Sequence, residues 1–552
     1  MKLAKEAYLA FEDIVGSEYI TQEPVILDTY NQVIGNKFFF DEKHSPRPAA
    51  VLMPATTGEI QAAVKVCNRF GILFKAFSSG FLYMSLALLN ERGILFDLRR
   101  MDKILEIDAR NMRAVVEPYV SVYKLQLAAA KYGLYTGRIG AGYTAGVIAA
   151  ECCHHGCQHT MVFTSGYGRN VLGVEWVLPT GELLTMGTGE SGGNMFSADG
   201  PGFSLRGILR GRAGANGGHG IITKASVKLY PWYGPPEWEQ VRGVGEPSSS
   251  GQLAKVPDGY KVLVPTFPNM ERQLEAAIDF CHAEILYAFS ISKLGTGVLA
   301  EGNDEDWARQ QKANPEMETA FLNSLVLTIA GQSARELEYR EKCALAITQK
   351  WGGYFLPQFN DQAALARAFI DIIWSTGTPA LRIAGDFLPS SSSPDGSPDM
   401  LKALALQEAE MALSYEQAGA FYKKGEKGVS WRPEENLSIG AQGISTAMYD
   451  PFDPVSLKAG REFLKKLFDP RGDFKRFGIP SRGGCLQLET VMHVHQNWGH
   501  LYDNYDLWLR KIKQMLDPNA VADWSAYIPP EYPNYPKEGN YVPPSYEQTK
   551  GT

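Results

Sequence analysis

A chain of 552 residues is long enough for two or more domains with a sizeable core, and 45% hydrophobic against 21% charged residues is ordinary for a globular protein. A net charge of -7 argues against nucleic acid or an anionic membrane as the main partner, because both need concentrated basic surface. No run approaches the roughly 18 apolar residues of a membrane span. The seven cysteines are an odd number that fits reduced thiols in a cytoplasmic setting better than a disulfide framework.

The N-terminus, MKLAKEAYLAFEDIVG, reads as an amphipathic helix carrying acids rather than a secretory signal. Ala49–Met53 is a short apolar strand, and Thr56-Thr57-Gly58-Glu59 offers a capping box. Ile60, Ala63, Val64, Cys67 and Phe70 then recur at helical spacing until Gly71. Ile72–Phe77 is the next strand and runs into a Ser-Ser-Gly loop. Short β-rich runs follow at Ile94–Leu98, Lys103–Ile107 and Ala114–Glu117, and a helix is expected from Ser121 to Gly133. Val171–Leu178 and Glu182–Met186, joined by Pro179-Thr180-Gly181, read as a hairpin.

Four glycine-bounded segments punctuate this part of the chain: Lys75–Ser85, Gly140–His159, Gly166–Arg169 and Gly211–Pro231. Each sets small residues beside a strand, where bare backbone N–H groups can approach phosphate or a flat ring. Their shared order points to a large anionic dinucleotide; taken singly, each is only a tight turn.

Gly234-Pro235-Pro236 marks a break, followed by a linker to about Pro257. From there to Gly483 longer helices mix with strands, among them Glu271–Phe280, Gln362–Trp374 and Met400–Tyr415, with Ser390–Pro398 read as a surface loop. Beyond Gly484 come a strand, a helix capped near Asn504 that carries Leu507, Trp508, Ile512 and Met515, and a Tyr/Pro-rich tail from Ile528. The domains expected are therefore 1–234, 258–483 and 484–552.

The ordered motifs resemble the FAD flavoprotein superfamily of vanillyl-alcohol oxidase, p-cresol methylhydroxylase and the glycolate-oxidase D subunit. They are Pro48–Pro54, Phe77–Ser85, Asp97-Leu98 with Lys103–Asp108, Val116-Glu117-Pro118, Gly173–Gly187, Gly220–Thr223 and Leu516–Asn519. Ile14-Val15-Gly16, Pro24 and Tyr30 are similar to the glycolate-oxidase D branch. The resemblance implies an α+β fold: a two-subdomain FAD-binding domain of the p-cresol methylhydroxylase type plus a mixed α/β substrate cap. It also implies that the N–H groups of Phe77, Ser78, Ser79, Gly80, Phe81 and Leu82 cradle the pyrophosphate, with Ser79 or Ser85 adding a hydroxyl. Gly140, Ala141, Gly146 and Val147 would run along the ribityl chain and isoalloxazine, and Ile222 would meet the adenine end through its backbone. Pro118, Tyr143, Thr144, Cys152, His155, Gly156 and Gly220 complete the expected cofactor contacts.

Two departures matter. The phosphate loop has Ser78-Ser79-Gly80 where two glycines are usual, and it holds no histidine for covalent attachment. Glu151–His159 (ECCHHGCQH) replaces a bland run. Its thiols and imidazoles invite zinc or iron, but the spacing fits no standard framework, so no metal is assigned. A cysteine or histidine touching, or covalently linked to, the flavin and plain packing are the readings left open.

In Cys485–His495, strand alternation separates Leu486, Leu488, Met492 and Val494 from Gln487, Glu489, His493 and His495. Histidine near its usual pKa is a natural proton acceptor at neutral pH, so His493 and His495 are candidate catalytic bases. The resemblance implies that Tyr167 neighbours the flavin, where it would orient a phenolic oxygen or pack on the ring. A solvated strand face is the competing reading. The expected activity is hydride abstraction from a small alcohol or phenol, with reoxidation by dioxygen or a redox protein. A 2-hydroxy-acid dehydrogenase, a flavin used without net redox change, and an electron-relay subunit are the alternatives. The Tyr/Pro tail points to a homo-oligomer.

Overall fold

The computed structural model describes residues 3–30, 47–80, 93–137, 145–153, 159–164, 166, 168–187, 204–209, 218–237, 255–291, 323–356, 362–374, 391–392, 395–420, 429–433, 435–437, 441–446, 453–468 and 505–523. Helix α1 (Lys5–Val15) buries Ala7, Phe11 and Val15, a spacing of four that puts all three on one face. Strand β1 (Ile20–Thr21) and helix α2 (Pro24–Thr29) lead to the first sheet. There β2 (Ala50–Leu52), β3 (Phe74–Phe77) and β4 (Ile94–Asp97) are parallel, and β1 closes the edge in the order β1-β2-β4-β3. β2 and β4 are buried throughout, which is why they read as continuous apolar runs.

Helix α3 (Thr57–Phe70) covers this sheet with Ile60, Ala63, Val64 and Cys67. Its start follows the expected box with one change: Thr56 Oγ1 accepts from the Glu59 N–H at 3.1 Å, but Glu59 reaches back to the N–H of Ala55 at 2.8 Å. Gly71, at φ +62, ends the helix. The far face of α3 meets a second sheet. Thr57 donates to Glu175 at 2.6 Å, Gln61 to Gly181 O at 3.0 Å and Asn68 to Pro179 O at 2.7 Å.

That second sheet is antiparallel, in the order β5 (Ile104–Asp108), β6 (Arg113–Val116), β10 (Ile221–Lys228), β8 (Val171–Val177), β9 (Leu183–Met186). The expected hairpin is β8–β9, with Val177 opposite Leu183. Helix α4 (Val122–Ala130), capped by Ser121 Oγ at 3.2 Å from the Lys124 N–H, is shorter than its sequence span. Trp176 is fully buried, as a core strand residue should be.

Strand β7 (Leu134–Tyr135) pairs with β11 (Tyr230–Pro231), and the core runs from here into the middle of the chain. Strands β12 (Tyr260–Leu263), β14 (Ala288–Ser290) and β15 (Val326–Ala330) form an antiparallel sheet in the order β12-β15-β14, and β13 (Pro265–Thr266) pairs with β16 (Tyr354–Phe355). Helices α5 (Met270–His282), α6 (Ala334–Lys350) and α7 (Gln362–Trp374) accompany these strands. An aromatic cluster joins the two regions. Tyr135 lies 5.8 Å from Trp232 and 5.7 Å from Tyr287, and Tyr260 lies 5.4 Å from Trp232. The hydroxyl of Tyr135 donates to Ile373 O at 2.9 Å and that of Tyr287 to Pro231 O at 3.0 Å, so the buried oxygens are satisfied.

Ser390–Pro398 departs from the surface-loop expectation. Ser391–Ser392 (β17) and Asp395–Gly396 (β18) are short strands, and Pro398 opens helix α8 (Pro398–Gln417). Both strands pair with β20 (Ala441–Thr446), which also pairs with β19 (Val429–Pro433). Tertiary pairing overrides the weak local preference of serine and glycine. Helix α9 (Pro454–Phe468) precedes the C-terminal helix α10 (Tyr505–Leu516).

The four residues expected on this last helix lie on α10, with different surroundings. Ile512 packs on the core, while Trp508 and Met515 stay largely exposed and Lys513 turns fully inward. The chain then returns to the first sheet. Phe74 N–H donates to Val521 O and Asp523 N–H to Phe74 O, each at 2.9 Å, so Ala522 lies parallel to the outer edge of β3.

Candidate cofactor site

Ligands of parallel sheets gather at the carboxyl ends of the strands, where loops and unpaired N–H groups converge. β3 ends at Phe77 and continues as Ser78-Ser79-Gly80. Gly80 adopts φ +66, and a Cβ there would come 2.7 Å from the Phe77 ring, so a side chain is excluded twice over. Among the described residues, no acceptor takes the backbone N–H of Ser78, Ser79 or Gly80.

Two further segments close on this loop. After β6 the chain turns through Pro118, and Val120 O accepts from the Val147 N–H at 2.9 Å while Val122 N–H donates to Ala145 O at 2.9 Å. This small ladder carries Gly146 to Ser79, whose Oγ accepts the Gly146 N–H at 3.1 Å. A Cβ on Gly146 would sit 3.2 Å from both Pro118 O and Ser78 Oγ. Ser78, Ser79, Pro118, Gly146 and Val147, five sequence-predicted residues from three separate segments, thus share one place.

Beside them, Asp97 at the end of β4 is fully buried and accepts from Tyr30 Oη at 2.6 Å and Arg99 Nε at 2.8 Å. Burial and the Asp97 carboxylate push the Tyr30 phenol up, and the hydrogen bond to Asp97 raises the Arg99 guanidinium. Tyr30 also lies edge-on to Phe77 at 5.1 Å. The charge is internally compensated, so this triad fixes the loop base.

Past Gly146 the backbone takes a π-helical turn, Ala149–Cys153, a geometry often found at functional sites. Cys152 is buried within the core cluster, and burial pushes the Cys153 thiol up to about 12, keeping it protonated at neutral pH. Gly220 and Ile222 enter β10 together, with Ile222 opposite Trp176. Gly220, at φ +110, abuts Val177 O so closely that no Cβ fits. Phe81, Leu82, Ser85, Gly140, Ala141, Tyr143, Thr144, His155, Gly156, Tyr167, His493 and His495 lie outside the described residues.

The sequence reading missed a buried ion network behind the site. Lys513 Nζ donates to Gly218 O, to Asp517 at 2.6 Å and to Ala522 O at 2.9 Å, while Lys75 of β3 faces Asp523 at 3.5 Å. Burial pushes both lysines down from their usual range, against the pull of their carboxylate partners. The available signals were lysines inside apolar patterns, at Phe74-Lys75-Ala76-Phe77 and at Ile512-Lys513.

Residues 48–187 match the family described as FAD binding domain. An uncharacterized FAD-linked oxidoreductase of Mycobacterium tuberculosis is 31% identical over 192 residues, which are 34% of this chain and 38% of that protein. The glycolate oxidase subunit GlcD of Escherichia coli is 27% identical over 207 residues, 37% of this chain and 39% of that protein. These alignments span less than two fifths of the curated relatives' lengths. The solved p-cresol methylhydroxylase aligns over 95% of this chain and 96% of its own, with a TM-score of 0.68 at 18% identity, a likeness of fold. The chain thus carries an FAD binding domain over residues 48–187, within an α+β fold that it shares with p-cresol methylhydroxylase. Its cofactor is FAD, and the residues present fit it: bare N–H groups at Ser78–Gly80 and glycines at Gly146 and Gly220 whose missing Cβ leaves backbone accessible.

Proposed function

We propose that this protein is an FAD-dependent oxidoreductase that removes hydride from an alcohol-type or benzylic carbon of a small alcohol or phenol. When bound, FAD accepts the hydride and passes electrons to dioxygen or a redox protein. The observation that supports this reading most directly is the meeting of Ser78, Ser79, Pro118 and Gly146 at the end of β3, within a fold shared over 95% of the chain with p-cresol methylhydroxylase. In this reading Ser78–Gly80, with Phe81, Leu82 and Ser85, bind the pyrophosphate, and Gly140–Val147 line the ring. His493 or His495 takes the hydroxyl proton and Tyr167 orients the substrate. Residues 1–234 serve as the FAD domain, 258–483 as the cap and 484–552 as a return to the first domain.

The test is anaerobic mixing of the purified yellow protein with panels of alcohols, phenols and 2-hydroxy acids. Bleaching by a phenol or alcohol supports the reading; bleaching only by glycolate or D-lactate moves the assignment to a 2-hydroxy-acid dehydrogenase. The 27% identity to a glycolate oxidase subunit favours that second reading. Reduction by no small molecule but by a protein partner would leave an electron-relay subunit.

A further inference from the structure

We propose that Lys75 is a positioning residue of the cofactor site: its buried pairing with Asp523 couples docking of the C-terminal return, residues 513–523, to FAD binding at the loop after β3. The inference rests on the FAD reading above. β3 is the element that both events share. Its carboxyl end continues into Ser78-Ser79-Gly80, and its inner edge is set by β4, where Leu98 N–H donates to Phe77 O at 2.9 Å. Among the described residues, 521–523 alone pair its outer edge.

The side chains make that outer pairing more than a backbone contact. Strand alternation sets Lys75 and Phe77 on one face of β3, and the Phe77 ring is what a Cβ on Gly80 would strike at 2.7 Å. Lys75 and Asp523 are 7% and 4% exposed, with Nζ 3.5 Å from Oδ1. Asp523 is itself held between the two sheets. Its N–H bonds Phe74 O of β3, and its own carbonyl closes on the turn into β10, where a Cβ on Gly218 would come within 2.5 Å. Lys513 locks the same turn, donating to Gly218 O, to Asp517 at 2.6 Å and to Ala522 O at 2.9 Å.

The cost of separating the pair supplies the coupling. Burial pushes the Lys75 ammonium down from its usual range, and the Asp523 carboxylate pulls it back up. When the return lifts, that carboxylate leaves with it, and β3 must give up either the charge or its place in the sheet. The strand end that carries Ser78–Gly80 then loses its outer support. A pair that only stabilised the fold would act alike with and without FAD. A coupled pair is reciprocal: whatever factor the docked return adds to FAD affinity, bound FAD adds to docking.

The experiment titrates flavin-stripped protein with FAD. Lys75→Met is expected to weaken FAD about fivefold or more, the lower end of ordinary coupling between sites, with Lys75→Arg recovering part of the loss because it restores the cation. Asp523→Asn should lose a similar factor, and the double variant should bind no worse than the weaker single one. In the unmutated protein, saturating FAD should slow amide exchange at Phe74 and Asp523 about fivefold or more under conditions of local opening, a readout independent of whether a variant folds. If Lys75→Met folds and binds FAD as tightly as wild type, or FAD binds without slowing exchange at those two amides, the coupling falls alone. If the wild-type protein takes up no FAD, the cofactor reading falls with it.

Discussion

Gly146 is where a single atom decides the outcome. Its Cβ position is 3.2 Å from Pro118 O and Ser78 Oγ, closer than comfortable carbon–oxygen packing, and the Ser79 hydroxyl depends on its N–H. Gly146→Ala needs a shift of a few tenths of an ångström, whereas Gly146→Val drives a branched side chain into the loop. We expect Gly146→Val to lower FAD affinity by tenfold or more, measured by flavin fluorescence on reconstitution, with Gly146→Ala intermediate. His219 makes a pH prediction. Its folded value of about 3 lies below the usual 6.5, so the unfolded chain binds the proton more readily. Nothing is lost above pH 6.5; below it, apoprotein stability falls by up to about 1.4 kcal/mol per pH unit until the folded value is reached. Between pH 7 and pH 5 the wild type should lose about 2 kcal/mol more than His219→Leu in urea unfolding, and equal losses would show that the imidazole is not held neutral by burial.

At the scale of elements, α3 is the piece the two sheets share, and its cap is accessible to test. Thr56→Ala removes the acceptor for the Glu59 N–H and should cost about 1 kcal/mol in urea denaturation. A loss that appears only without FAD would mean that the cofactor braces the helix start. This helix was legible in the sequence because local signals agreed: the Thr56 cap, the apolar positions at 60, 63, 64 and 67, and the Gly71 stop. The β8–β9 hairpin was legible for the same reason. Ser391–Gly396 was not, because its strands exist only through pairing with β20, about 50 residues later. The inward turn of Lys513 was equally hidden. Periodicity assigns lysine to water, and only the three-dimensional gathering of Gly218 O, Asp517 and Ala522 O makes a buried ammonium tenable. For the candidate cofactor site, ordered glycines pointed to the loop, while the support of Asp97 was hidden because its phenol partner, Tyr30, lies 67 residues away.

Among the described residues, two seams hold the molecule together across its parts. One is the aromatic cluster, where Tyr135 spans to Ile373 O. Tyr135→Phe leaves that carbonyl unpaired, and a stability loss of about 1 kcal/mol with an unchanged FAD spectrum would mark the seam as structural. The other is the C-terminal return, with Lys513 and Asp517 fully or almost fully buried as an ion pair at 2.6 Å. Breaking such a pair from one side costs roughly 3–5 kcal/mol. Asp517→Asn should therefore lower the thermal midpoint and speed hydrogen exchange at Phe74, whose N–H is held by Val521 O. Unchanged exchange there would show that the return is not coupled to the sheet.

Asn519 bonds Asn68 across a separation of 451 residues, and Ala522 lies along β3 beside it. A ribosome must therefore synthesise the 451 residues from Asn68 to Asn519 before this sheet acquires its outermost neighbour. Until then β3 presents an unpaired edge and Lys75 lacks Asp523, the kind of surface that recruits chaperones or sticks to other nascent chains. Coenzyme loading in the cell should accordingly be a late, post-synthetic event, and expression yield should respond to chaperone supply more than to flavin supplied during translation.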